Sequence, residues 1–95
     1  MSNDTFDRAA LRLGRPVPEQ LRKRIYDDLA DAMIVALEQE KLSVAEMKRA
    51  SAYTLENLDN AKSLASLIVF LTSLSQRWNV YSSVCNAYIK EINSQ

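Results

Sequence analysis

Histidine is absent from the 95 residues, and cysteine and glycine each occur only once. Without histidine the chain lacks the commonest general base, the usual catalytic triads and the imidazole ligands of most zinc sites. A single cysteine excludes a thiolate-bound metal cluster within one chain, and a single glycine excludes a phosphate-cradling loop. These absences predict a protein with no enzymatic activity, no cofactor and no metal.

Cys85 is the one obvious nucleophile in the chain. It lies among apolar positions with no histidine to activate it, so we expect a small buried hydrophobic residue. A lone cysteine gives no internal disulfide, which is typical of a reducing compartment. There is no run of about 20 apolar residues for a membrane span and no secretory signal at the N-terminus, so we expect a cytoplasmic protein without membrane contact.

Residues that break helices are scarce, with one glycine and two prolines in the whole chain. An all-β fold needs turn residues every ten positions or so, and they are missing here. Apolar residues make up 47% of the chain, which is enough for a folded core. The composition therefore predicts an all-α fold.

The most regular apolar pattern lies between residues 63 and 92 and repeats every seven residues. One series is Leu64, Leu71, Trp78, Cys85 and Ile92, and the other is Leu67, Leu74, Tyr81 and Tyr88. These are the a and d positions of a heptad, here called the heptad seam, and such a seam is typical of a helix that faces another helix. The pattern predicts one long helix over about 61–93.

The length of this predicted helix points to an interface. At 1.5 Å per residue it would extend about 45 Å, longer than the other two predicted helices can cover. We therefore expect a homodimer, or a helical protein partner, bound through eight seam residues: Leu64, Leu67, Leu71, Leu74, Trp78, Tyr81, Cys85 and Tyr88. The alternative is a break near Asn79, after which a fourth short helix folds back and buries the seam within one chain.

The rest of the chain divides into an arm and two further helices. Residues 1–18 are predicted to form an N-terminal arm with a short helix and a proline linker, and residues 19–95 the helical domain. Apolar residues at steps of four predict a helix over about 19–41. Ser43 and Glu46 form a capping box that begins a helix over about 44–58, and a register break at 57–60, with Asp59 or Asn60 as the next cap, ends it. The predicted fold is a three-helix bundle, or a helical hairpin with a short N-terminal helix.

Two charged clusters permit other hypotheses, although the twelve basic and twelve acidic residues balance overall. Carboxylates can hold a divalent metal, but for the acidic cluster we favour a solvated face with Lys23 and Arg24 as partners four residues before Asp27 and Asp28. The acidic cluster is Asp27, Asp28, Asp31 and Glu38. The basic cluster supports the alternative of a small helical nucleic-acid-binding regulator. It comprises Arg22, Lys23, Arg24, Lys48 and Arg49.

The function that these patterns favour is protein–protein interaction without catalysis. The chain has an apolar seam and no residues for common chemistries, so an oligomerising adaptor, a chaperone-like protein or an assembly factor fits it best. A bacterial or phage assembly is the setting that we expect for such a protein.

Overall fold

The structure, a computed structural model, describes residue 8 and residues 10–94. Four α-helices follow residue 18: α1 (Glu19–Glu38), α2 (Val44–Asn60), α3 (Leu64–Arg77) and α4 (Ser82–Ser94), with a 3-10 turn at Asn79–Tyr81 between the last two. The all-α prediction is confirmed. The N-terminal helix predicted within residues 1–18 lies partly outside the described residues, and its described part, 10–13, is helical.

The four helices form an up-down-up-down bundle. Both α1 and α3 pack beside α2 and α4, whereas the backbones of the diagonal pairs α1–α3 and α2–α4 stay more than 8 Å apart between Cα atoms. The side chain of Arg22, near the start of α1, donates a hydrogen bond to the carbonyl oxygen of Leu58, near the end of α2. Arg24 likewise pairs with Glu91 near the end of α4. Neighbouring helices are therefore antiparallel.

The helix starts follow from local hydrogen bonds. The Ser43 hydroxyl accepts a hydrogen bond from the Glu46 N–H at 3.1 Å, so Ser43 caps α2 as predicted. The Glu46 carboxylate accepts from the Ser43 hydroxyl at 3.1 Å in place of the Ser43 backbone N–H that completes a capping box. Ser63 caps α3 in a similar way, because its hydroxyl accepts from the Ser66 N–H at 3.1 Å. The break before α3 therefore lies at 61–63, slightly later than predicted, and neither Asp59 nor Asn60 is the cap.

The prediction of one continuous helix over 61–93 is wrong. The helix stops at Arg77, the backbone of Trp78 is extended with φ −133° and ψ 102°, and the chain turns back through the 3-10 turn. The carboxamide oxygen of Asn79 accepts a hydrogen bond from the Ser82 hydroxyl at 3.0 Å, which supports the start of α4. The alternative of a fourth helix that folds back on its own chain therefore describes the structure.

The arm is held against one end of the bundle. Val17 is buried, and its N–H donates to the carbonyl oxygen of Lys62 at 3.1 Å. The N–H of Leu64 donates to the carbonyl oxygen of Arg15 at 3.0 Å. Residues 15–17 thus run antiparallel to the turn between α2 and α3 and cover that end of the core.

Candidate interaction surfaces

The heptad seam is the core of the bundle and is not a surface. Seven of the eight predicted interface residues are buried, namely Leu64, Leu67, Leu71, Leu74, Tyr81, Cys85 and Tyr88, and Trp78 is half-buried. The chain forms no single rod-like helix over these residues, so the length that predicted an interface is absent. Since α4 folds back along α3, the two halves of the seam cover each other within one chain.

The aromatic residues of the seam have partners on other helices. The ring of Tyr53 in α2 lies 6.2 Å from Phe70 and 5.6 Å from Trp78, and the Arg77 guanidinium sits 4.8 Å above it. Tyr88 donates a hydrogen bond from its hydroxyl to Asp28 in α1. These rings therefore connect helices of the same chain and do not project as anchors for a partner.

Cys85 has no exposed thiol. The side chain is fully buried, and burial raises the pKa of the thiol to about 11. The thiol is protonated at neutral pH, and a thiol is a much weaker nucleophile than a thiolate. Cys85 is thus a small apolar residue of the core.

The acidic cluster does not converge into a metal site. Among the described residues, no group of three or more cysteine, aspartate or glutamate side chains is placed to hold an ion. The expected pair of Arg24 with Asp28 is not formed, because Arg24 makes two hydrogen bonds to Glu91 in α4 at 2.8 and 3.1 Å, and the expected pair of Lys23 with Asp27 is also not formed. In residues 10–94 neither of the two ion pairs involves an aspartate of this cluster.

The basic cluster is dispersed. The side chain of Arg22 donates to the Leu58 carbonyl oxygen, and its Nε lies 3.7 Å from a carboxylate oxygen of Glu19. The guanidinium of Arg24 pairs with the carboxylate of Glu91. Lys48 is ten residues, or about 15 Å along α2, from Leu58. The five residues therefore do not form one basic patch, and the nucleic-acid alternative stays a prediction that this geometry does not favour.

Sequence reasoning missed a surface on α3. Of its fourteen residues only Arg77 is charged, whereas α1 carries eight charges in twenty residues. Arg77 is exposed at the C-terminal end of the helix, and the other exposed residues, Ala65, Ser66, Val69, Thr72 and Gln76, are here called the uncharged face. Val69 is 65% exposed. The missing charge was visible in the sequence, but it was attributed to the buried seam alone.

A second missed surface is a groove between α1 and α4, here called the α1/α4 groove. Its volume is about 510 Å³, and one end has Asp28 and Asp31 while Lys41 lies at the other. The floor is apolar and consists mostly of small side chains: Ala32, Val35, Ala36, Val80, Val84 and Ala87. No sequence signal predicted this groove, because it depends on α4 folding back beside α1.

A smaller cleft lies between α1 and α2. Thr54 is 7% exposed, its hydroxyl has no hydrogen-bond partner, and it borders a space of about 50 Å³ with Tyr26, Leu29 and Tyr81. A water molecule takes about 30 Å³ of liquid volume, so the cleft suits water and is too small for a metabolite.

None of the helices in residues 10–94 combines the length and the hydropathy that crossing a bilayer requires. Comparison with known proteins finds no matching family model, no matching curated protein and no matching solved structure. The uncharged face and the α1/α4 groove are therefore the two candidates for a functional contact.

Proposed function

We propose that the protein is a non-catalytic helical interaction protein, an oligomerising adaptor or assembly factor, that pairs with a second copy through the uncharged face of α3. The observation that supports this proposal is the uncharged face, which presents Val69 at 65% exposure and leaves Arg77, at the C-terminal end of the helix, as the one exposed charge of α3. The proposed interface is thus the exposed side of α3, in place of the heptad seam that the sequence predicted.

The physical basis is the composition of contact surfaces. The centres of protein interfaces are depleted in charged residues relative to the rest of the surface. In a two-fold dimer the same patch meets itself, so any charge on it approaches an identical charge. The uncharged face avoids this repulsion, and its alanine and serine residues allow a second helix to come close.

The size of the face limits the strength of this contact. With fourteen residues α3 is about 21 Å long, and a helix is about 10 Å wide. A standard interface buries about 800 Å² on each partner, which is several times the area of this strip. We therefore expect a weak dimer that forms with rising concentration.

Sedimentation equilibrium from low micromolar to millimolar concentration tests the proposal. The average mass of the wild type should rise toward that of a dimer. Val69→Asp should remain monomeric over the same range, because pairing would bring two carboxylates together. Ala52→Asp adds the same charge at an exposed position of α2 and should associate like the wild type.

Two results contradict the proposal. One is a wild type that is monomeric at every concentration. The other is a Val69→Asp variant that associates as strongly as Ala52→Asp. Circular dichroism of both variants establishes that each retains the helical fold, which is expected because both sites are exposed.

A further inference from the structure

We infer that the α1/α4 groove binds a short amphipathic helix of a partner protein, with a lysine or arginine of that helix placed at the Asp28 and Asp31 end. This inference rests on the proposed role in protein–protein interaction, but it uses a different surface and a different partner from the self-association described above.

The shape of the groove fits one helix. From Asp28 in α1 to Gln39, the residue after its end, the groove extends over eleven residue steps, which corresponds to about 17 Å or three helical turns. Helices pack at interaxial distances of about 8–10 Å depending on the side chains between them. The alanines on the floor permit the short end of that range, and Val35, which is 47% exposed, supplies an apolar contact for the helix.

The charges of the groove select the partner. Asp28 and Asp31 have no ion-pair partner among the described residues, and the nearby Arg24 is occupied by Glu91. The hydroxyl of Tyr88 donates to Asp28 and so holds that carboxylate at the edge of the groove. A cation that arrives there forms charge-assisted hydrogen bonds, which are stronger than neutral ones. An acidic segment would meet like charge at the same place.

A helix in such a groove uses apolar residues at the spacing i, i+3 or i+4, and i+7. The probe is therefore a synthetic helical peptide of about four turns with a leucine and alanine ridge and two lysines at one end. A second peptide has glutamates in place of the lysines. Fluorescence anisotropy at low salt measures both affinities, and amide chemical shifts locate the bound peptide.

The expected result is that the lysine peptide binds at least about tenfold more tightly than the glutamate peptide, because like charges across a contact are strongly unfavourable. Asp31→Lys should reverse this preference. Glu56→Lys makes the same charge change at an exposed position of α2, away from the groove, and should bind like the wild type. Val35→Glu places a charge on the floor and should weaken binding of both peptides.

Several outcomes overturn the inference. They are no binding of the lysine peptide, equal binding of the two peptides, equal effects of Asp31→Lys and Glu56→Lys, or shifted amides on α3 in place of α1 and α4. The same titration in Val69→Asp separates the two proposals, since peptide binding there should persist. If Val69→Asp loses self-association but still binds the peptide, the two surfaces act independently and both proposals stand.

Discussion

At the scale of single residues, burial controls the chemistry of the polar groups in the core. Burial raises the pKa of the Cys85 thiol to about 11. Burial, with the hydrogen bond to Asp28 as the next cause, raises the pKa of the Tyr88 hydroxyl to about 12. Burial also raises the pKa of Tyr81. All three groups are held in their neutral forms, so none of them serves as a base or nucleophile near pH 7.

These shifts predict loss of stability in alkaline solution. The ordinary pKa of a thiol here is 9.0, so the folded state binds the proton of Cys85 more tightly than the unfolded state does. The stability that this provides is complete below about pH 9. It is lost as the pH rises through the folded-state pKa of about 11. Urea midpoints should therefore be constant between neutral pH and about 9 and then fall.

The matched variant is Cys85→Ala, which removes the thiol but keeps the two tyrosines. Its midpoint should be lower at every pH because the core loses volume, yet it should fall less steeply above pH 9 than that of the wild type. A wild-type midpoint that is flat through alkaline pH, or equal slopes for the two proteins, contradicts the prediction.

The partners of individual charged side chains were the feature that the sequence predicted least well. Spacing along α1 predicted that Arg24 would face Asp28, four residues later. In the structure Arg24 of α1 pairs with Glu91 of α4. Asp28 of α1 accepts a hydrogen bond from the hydroxyl of Tyr88, which also lies in α4. A pair at i, i+4 contributes only about 0.2–0.5 kcal/mol. That is too little to outcompete a partner on a helix packed alongside.

At the scale of helices, the start of α2 was predictable because its cap is local. Ser43 and Glu46 are three residues apart, and their mutual hydrogen bonds need no contact from elsewhere in the fold. The break at Trp78 was missed because the spacing of the apolar residues does not change there. The steps from Leu74 to Trp78, Tyr81 and Cys85 are four, three and four, so the apolar pattern continues through a turn that interrupts the helix.

The Ser43 cap gives a prediction for α2. Ser43→Ala should lower the free energy of unfolding by about 1 kcal/mol, since the first turn of α2 loses the hydroxyl that accepts from its backbone. Chemical denaturation monitored by circular dichroism measures this change. Ser43→Asp keeps a capping oxygen and should retain most of the stability. Ser83→Ala, at an exposed position within α4, should change it by less than about 0.5 kcal/mol. Equal effects of both alanine substitutions would contradict a role for the cap.

At the scale of the whole molecule, topology decides which apolar residues become surface. The heptad pattern correctly indicated helices that pack along their length, and the all-α fold followed from composition. Whether the seam meets the same chain or another chain depends on one turn of four residues, Trp78–Tyr81, that the period of the pattern does not show. The α1/α4 groove exists only after α4 folds back, so its residues could not be grouped from sequence, whereas the lack of charge on α3 was visible there.

The intramolecular position of the seam is itself testable, because a core and an interface respond differently to dilution. Leu71 is fully buried on α3, and its neighbour Thr72 is exposed. Leu71→Ala should lower the free energy of unfolding by about 2–5 kcal/mol. A loss of about 3 kcal/mol in a domain of this size lowers Tm by roughly 12–24 °C. Thr72→Ala should change stability by less than about 0.5 kcal/mol.

Thermal unfolding of these two variants at low micromolar concentration, where the proposed contact through α3 is dissociated, should already show the full difference. If the seam were buried between two chains, mass action would make the wild-type Tm rise with protein concentration, and Leu71→Ala would remove that rise. A concentration-independent loss therefore places Leu71 in the core of a single chain. A loss that vanishes on dilution would restore the seam as the interface and displace the uncharged face from that role.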